Sequence, residues 1–332
     1  MILIVLHFNG GNMNLNQKYR PTTFNDVVEQ SKATYILQRE LETNNIKPAY
    51  LFCGKTGGGK SSCSRILAKE LNAYTIEIDS ASHGGADDIR QLIETIKVKP
   101  ISHDNIVVIL DECHTISNAG MSALLLALEQ PPKFVHFILC TTEAQKIPET
   151  IKNRCEVFEF LPISKKGIIA RLKQISEVED IDYDDRGIDY LATIADGSMR
   201  QAITYLEQYT GRLETIRKYR QVDKYDSFLN LIFAVSDKRY TDIVKIVNDS
   251  DFRFVESFFS FVLSADIICK TGVDVFGNIP DVFVEDILKL KTKDKETIKA
   301  LRNVLLNLQY EGRNNPIIKQ LLVAELYQMV EG

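Results

Sequence analysis

The six cysteines of this chain (53, 63, 113, 140, 155 and 269) form no C-x-x-C pair, which removes the usual zinc ribbon and dithiol redox motifs and leaves free thiols in a reducing cytoplasm as the expectation. No apolar run approaches the length of a membrane span. The first residues, Met1 to Leu6, are apolar but lack a basic flank, and Asn9-Gly10-Gly11-Asn12 interrupts them, so they make a poor secretion signal. Residues 1–13 are expected to be a disordered extension, with Met13 a natural start for the folded chain. The chain has no excess of positive charge: the net charge is −5, so any nucleic-acid contact has to be a local patch. Internal repeats and low-complexity tracts are missing too. What remains is a chain of 332 residues, 45% hydrophobic and 26% charged, the composition of a globular protein long enough for two or three domains.

The most informative stretch is Gly54-Lys55-Thr56-Gly57-Gly58-Gly59-Lys60-Ser61, which spells G-x-x-x-x-G-K-[ST]. Before it, Ala49 to Cys53 reads as a buried strand; after it, Ile66, Leu67 and Leu71 fall at helical spacing. In that context the glycines let backbone N–H groups curl around phosphate oxygens at a helix N-terminus. Lys60 is suited to the β- and γ-phosphates of ATP, and Ser61 to Mg²⁺. A second motif follows the apolar run Ile106 to Leu110: Asp111-Glu112-Cys113-His114. Carboxylates at the tip of a parallel strand lie where ligands bind in open α/β sheets. Asp111 is suited to the Mg²⁺ shell and Glu112 to orienting an attacking water. A chance glycine-rich turn or a pair of helix-capping acids explains one motif alone, but not both. His114 beside Cys113 offers too few ligands for a metal site.

Strand-like runs at 49–53, 74–78, 106–110, 134–140 and 157–160 alternate with helical patterns near 60–71, 86–97, 118–129 and 147–152. This is the signature of a parallel sheet with helices on both faces. Ser117 or Asn118 is the expected cap of the third helix, and Pro131-Pro132 its stop. After Pro162 no strand pattern recurs. Residues 164–178, 184–195 and 198–210 read as short amphipathic helices, 211–220 as a charged linker or exposed helix, and 224–330 as helical throughout, with stripes such as Phe228, Leu231, Ile232 and Val235.

Five stretches, the phosphate loop among them, give the chain a likeness. Lys18-Tyr19-Arg20-Pro21 with Phe24 and Asp26 to Gln30, the phosphate loop with its acidic partner, Ala123 to Pro132, Phe137 to Cys155, and Gly197 to Ala202 together resemble the clamp-loader ATPases of the AAA+ class. The likeness is above all to the bacterial DNA polymerase III gamma/tau subunit and the small subunits of replication factor C, and it covers roughly residues 14–210. It implies an AAA+ core over 14–161, a three-helix lid over 162–219 and a helical collar for oligomerisation over 220–332. It also implies an ATP- and Mg²⁺-dependent motor that opens a sliding clamp and places it on primer–template DNA, within a pentamer of clamp-loader subunits in the cytoplasm.

By the same resemblance, Arg20 and Val28 line the adenine pocket and Thr142 is the polar residue between the hydrolytic motifs. Arg200 in the lid touches the γ-phosphate of its own subunit. Arg154 reaches the ATP of the neighbouring subunit, where an arginine in trans is worth about 10³–10⁵ in rate. The alternative for Arg154 is a brace to Glu156 or Glu159. Ser82 and Arg90, in the polar stretch from Ser80 to Arg90, are candidate DNA contacts, or else Arg90 only pairs with a carboxylate. Departures are Asn153 for a serine, Glu29 for a glycine, no zinc module between Leu71 and Tyr74, and no polymerase-binding tail, which together suit a compact loader of a phage or similar replicon. Two rival readings stay open: a non-hydrolysing stator, against which Lys60, Glu112 and Arg200 argue, and an AAA+ recombination or branch-migration motor, against which Asn153-Arg154-Cys155 and the collar argue.

Overall fold

Strands that are apolar along almost their whole length have to be covered on both faces, and three of this chain's strands are of that kind. A computed structural model describes residues 14–209, 223–250, 254–276, 279, 281–310 and 318–331. Its parallel sheet has the order β2-β3-β4-β1-β5, with β1 at Ala49–Gly54, β2 at Tyr74–Asp79, β3 at Ile106–Asp111, β4 at Val135–Thr141 and β5 at Glu156–Phe160. Each begins and ends within a residue of the expected run. Helices α1 (Leu15–Lys18) and α2 (Ser31–Glu42) precede the sheet, and α3 (Lys60–Glu70), α4 (Ala86–Thr95), α5 (Asn118–Glu129) and α6 (Glu149–Lys152) join its strands.

Period-two alternation divides the strand side chains between two cores. Leu51, Val108, Leu110 and Leu139 pack with Ile89 and Leu92 of α4 and Leu124 and Leu128 of α5. Tyr50, Phe52, Ile109 and Ile138 pack with Leu37 of α2 and Ile66 and Leu67 of α3. Each fully buried leucine or isoleucine there is worth about 1.5–3 kcal/mol. Ser117 caps α5 as expected, its Oγ accepting the Gly120 N–H at 3.1 Å, and the helix ends at Glu129, before the two prolines.

Beyond the sheet come α7 (Lys165–Glu179), α8 (Asp185–Ile194) and α9 (Met199–Glu207), close to the three expected spans. Two compact units emerge from the packing. One runs up to Glu179 and includes Ala195–Glu207, so α7 and α9 belong to the unit that holds the sheet, where α9 packs on α7 and α1. The other takes Asp180–Ile194 and the described residues from Gln208 on, so α8 packs with the C-terminal helices: Tyr190 lies 6.3 Å from Phe283, and Arg186 pairs with Glu285 at 2.8 Å. Those helices are α10 (Asp223–Ser236), α11 (Tyr240–Asp249), α12 (Phe254–Thr271), α13 (Asp281–Leu288), α14 (Thr292–Tyr310) and α15 (Ile318–Glu331). Phe228, Phe258 and Phe261 fill their core, and buried Asp266 of α12 takes Arg302 of α14 at 2.6 Å. Residues 1–13 and the expected linker at 211–220 lie outside the described residues. Among the described residues no helix is long and apolar enough to cross a membrane.

All six cysteines are free, and four of them (Cys53, Cys63, Cys113 and Cys140) are buried. Burial pushes the Cys63 and Cys140 thiols up to about 12 and Cys113 well above its ordinary value. Only the thiolate reacts with alkylating agents. Iodoacetamide at pH 8 should therefore spare Cys63, Cys113 and Cys140 in the native chain and modify them all in denaturant, as mapped by mass spectrometry. Fast native labelling of Cys140 would contradict its burial between the sheet and α3.

Candidate nucleotide site

The polar groups of this site gather where the buried strands end. Past Gly54 the chain turns through the glycine loop into α3, and the Lys60 ammonium is drawn back into that loop. Its Nζ donates to the carbonyl oxygens of Gly54 at 2.7 Å and Lys55 at 3.0 Å, and the residue is buried. A buried cation beside a glycine loop at a helix N-terminus is suited to hold an anion. Next to it, Ser61 Oγ donates to Asp111 Oδ2 at 2.9 Å, which joins α3 to the tip of β3. A hydroxyl beside a carboxylate is the hard-oxygen donor set that Mg²⁺ takes when it also binds phosphates. The residues present therefore fit that ion.

Glu112 follows Asp111 with a left-handed backbone, φ 47°, which turns its carboxylate towards the tip of β4. There Thr142 Oγ1 donates to Glu112 Oε2 at 3.0 Å. His114 adds a second contact: its Nδ1 lies 3.3 Å from Glu112 Oε2 and 3.1 Å from Thr141 Oγ1, and its Nε2 lies 3.2 Å from Glu143 Oε1. Glu143 is held below the usual carboxylate range by the hydrogen bond from Lys146. Glu112 keeps a third of its side-chain surface open to solvent, so a water can reach a carboxylate that is itself held still.

The lid segment meets the loop directly. The Met199 N–H donates to the Gly57 carbonyl at 3.2 Å. A Cβ on Gly57, where φ is 78°, would come within 2.1 Å of Ser198 Oγ and 3.2 Å of Arg200 Cβ. Only glycine fits that position, and the start of α9, with Arg200 exposed, lies against the phosphate loop. From the N-terminal segment it is Val27 that reaches the loop, its Cγ1 3.5 Å from where a Gly59 Cβ would be. Val28 beside it is half-buried and Arg20 is exposed.

Arg154 lies elsewhere. Strand β5 starts opposite Tyr50 and ends opposite Gly54, so the chain entering β5 is at the end of the sheet away from the loop, roughly 13 Å back at about 3.3 Å per residue. There Arg154 pairs with Glu129 at 2.6 Å and with the Thr150 carbonyl at 2.9 Å, rather than with Glu156 or Glu159. Ser82 Oγ is 3.3 Å from Asp79 Oδ2 beyond β2, and Arg90 pairs with Asp87 at 2.8 Å on the surface of α4.

Comparison with known proteins fits this geometry. Residues 74–164 match the family described as DNA polymerase III, delta subunit, and residues 167–209 match the DNA polymerase III clamp loader subunit, ATPase lid domain. The gamma subunit of DNA polymerase III from Buchnera aphidicola subsp. Baizongia pistaciae is 30% identical over 273 residues, 72% of this chain and 74% of its own length. The chain belongs to the DNA polymerase III gamma/tau family. The tau subunit of Bacillus subtilis is 30% identical over 343 residues, covering 96% of this chain and 58% of itself. For the tau subunit of Escherichia coli the figures are 32% over 272 residues, 73% and 42%. The chain thus spans about half the length of those tau subunits. Among solved structures, the RuvB Holliday junction branch migration motor of Thermotoga maritima superposes with a TM-score of 0.52 at 16% identity, over 65% of this chain and 79% of that one. At that identity the likeness shows the shared AAA+ fold alone.

Of the residues the motifs single out, the structure brings together the glycine loop, Asp111, Glu112 and Thr142, and sets Arg200 beside Gly57. The contacts of His114 with Glu112 and Glu143, of Ser198 with Gly57 and of Val27 with Gly59 are not indicated by any motif. The close approach of Ser198 gives a test. Gly57→Ala should raise the Kd for ATP at least about tenfold, near 1.4 kcal/mol, and Ser198→Gly in the same chain should recover part of that loss in calorimetric titration. An unchanged Kd would mean that the lid can leave the loop at no cost.

Proposed function

We propose that this chain is the ATP-binding and ATP-hydrolysing motor subunit of a sliding-clamp loader. The observation that carries the reading is the set of strand-tip contacts, Ser61 with Asp111 at 2.9 Å and Thr142 with Glu112 at 3.0 Å, under a lid bonded to Gly57. Lys60 and the loop N–H groups bind the β- and γ-phosphates, while Val27, Val28 and Arg20 flank the base. Ser61 and Asp111 hold Mg²⁺, which when bound neutralises charge between the phosphates. Glu112 accepts a proton from the attacking water and orients it, and Thr142 holds the Glu112 carboxylate in place for that task. Arg200 approaches the γ-phosphate from the lid of the same chain.

Arg154 supplies its charge to the nucleotide of a neighbouring subunit. Its distance along β5 from its own loop supports this role, and so does the nature of its partner: a surface ion pair with Glu129 is worth only about 0–1 kcal/mol and is easily exchanged. Hydrolysis is then a property of an interface, and the assembly is a ring or spiral of several subunits, five by family likeness. The core is 14–161, the lid 162–219 and the collar 220–332. The partners are a sliding clamp, sister subunits and primer–template DNA held through its backbone by Ser82, Arg90 and nearby N–H groups. The site of action is the bacterial cytoplasm.

Two experiments test this. Glu112→Gln should bind ATP nearly as tightly as wild type and hydrolyse it at least about 10²-fold more slowly, whereas Lys60→Ala should lose binding itself. Arg154→Ala should bind ATP normally and hydrolyse poorly. Mixing it with Glu112→Gln should recover activity above the sum of the two, because some interfaces then pair an intact arginine with an intact carboxylate. Activity that stays at the sum, with Arg154→Ala less stable, would make Arg154 a structural brace.

DNA binding should be independent of sequence and fall steeply with salt, since phosphates are gripped rather than base edges. Primer–template junctions should stimulate ATPase more than blunt duplex in a steady-state assay at fixed ionic strength. A footprint that tracked base sequence and ignored salt would count against a clamp loader.

A further inference from the structure

Glu29 stands where the family resemblance expects glycine, and it keeps a glycine-like backbone, φ 61°. A side chain in that region is held there only when its surroundings require it. Here the tight turn Val28-Glu29-Gln30 is closed by Gln30 N–H to Val28 O at 2.9 Å and Ser31 N–H to Glu29 O at 2.8 Å. The carboxylate it carries crosses to the entrance of the lid. Glu29 Oε2 accepts the Ser164 N–H at 2.7 Å, and Oε1 accepts the Ser164 hydroxyl. Ser164 Oγ in turn accepts the Gly167 N–H at 3.0 Å, in the first turn of α7.

The neighbouring residues serve the same link. Gln30 grips Leu161 from both sides, its Nε2 donating to Leu161 O at 2.7 Å and its Oε1 accepting the Leu161 N–H at 3.2 Å. A Cβ on Gly167 would come within 2.5 Å of Glu29 Oε1 and 2.8 Å of Glu29 Cδ, so the helix has space for the carboxylate only because residue 167 has no side chain. At its far end α7 is tied to the same N-terminal segment, since Glu179 pairs with Lys18 at 2.6 Å and with the Tyr19 hydroxyl. From residues 161–164 the contacts continue to the phosphate loop: Ile163 N–H donates to Gly197 O at 3.0 Å, Gly197 precedes Ser198, and Met199 N–H donates to Gly57 O.

We infer that Glu29 is a positioning residue: its carboxylate straps the entrance of the lid to the N-terminal segment and so keeps the Arg200-bearing helix α9 against the phosphate loop. Opening the lid breaks both bonds from Ser164 to the Glu29 carboxylate, while Ser164 keeps its own bond to the Gly167 N–H. The strap therefore biases the chain towards the closed arrangement before nucleotide arrives, and nucleotide has less ordering left to do. Its effect on nucleotide affinity rests on the proposed role of the glycine loop, but the strap itself does not.

Four full-length variants separate the possibilities: Glu29→Gly, Glu29→Gln, Gly167→Ala and the double Glu29→Gly/Gly167→Ala. Glycine keeps the turn and deletes only the carboxylate, so the thermal melt of Glu29→Gly should hold or rise while amide exchange over residues 164–168 of the nucleotide-free chain speeds up about tenfold. Glu29→Gln, which still accepts one hydrogen bond, should fall between. Gly167→Ala should speed exchange in the wild-type background by displacing the carboxylate, yet slow it in the Glu29→Gly background, where alanine merely favours the helix. The Kd for ADP should weaken about threefold or more in Glu29→Gly.

The inference is overturned if Gly167→Ala acts alike in both backgrounds, if exchange at 164–168 ignores Glu29→Gly, or if exchange changes while the ADP Kd does not. A wild-type chain that failed to bind ADP would instead overturn the proposed function, and the exchange and melting results would still be readable.

Discussion

A strand buried on both faces can present polar chemistry only beyond its ends. Strands β1 and β3 are buried at every residue up to the last of each, and β4 along its whole length. Their side chains are committed to the two cores, and the first groups free to meet a charged ligand come after Gly54, at Asp111 and at Thr142. Parallel register sets these tips side by side, because β4 pairs with both β1 and β3. The contacts Ser61–Asp111 and Thr142–Glu112 arise from that register, and so does the position of Arg154 at the opposite end of β5.

Order within the site comes from neutral hydrogen bonds more than from ion pairs. Glu112 is steadied by a threonine hydroxyl, Lys60 by carbonyl oxygens, and Asp111 by a serine. These partners fix direction without cancelling the charge that phosphate chemistry needs. Exposed pairs such as Lys55–Asp196 and Arg90–Asp87 add little by comparison. The lid shows the same pattern: it meets the loop through a backbone bond to Gly57 and the core through the Glu29 and Gln30 side chains.

Much of the fold and site is legible in the sequence because the signals are local. A glycine loop between an apolar run and a helical stripe, and two acids after a second apolar run, fix both the elements and the chemistry at their junctions. Ser117, the two prolines after α5 and the helical breaks after Pro162 are legible for the same reason, since caps and stops act over a few residues. His114 reads in sequence as a poor metal ligand, and nothing nearby in the chain announces that Glu143 meets its other nitrogen. Val28 reads as the base-pocket residue, and nothing local announces that its neighbour Val27, in the same bend, lies beside Gly59. Glu29 reads as an irregularity because its partners, Ser164 and Gly167, are more than a hundred residues away.

By itself the sequence determined the strand spans and the helix spans from Lys60 to Glu207, the alternation that makes a parallel sheet, and the residues at the strand tips, since each depends on periodicity or on neighbours in the chain. Only the tertiary structure decided the rest. It sent α8 to the C-terminal helices while α7 and α9 stayed with the sheet: an amphipathic stripe says that a face will be buried, not against what. It brought Ser198 onto Gly57 and Glu29 onto Ser164, and it gave Arg154 the partner Glu129 at the far end of the sheet. Those outcomes come from the packing of surfaces far apart in sequence, and no local pattern encodes such a meeting.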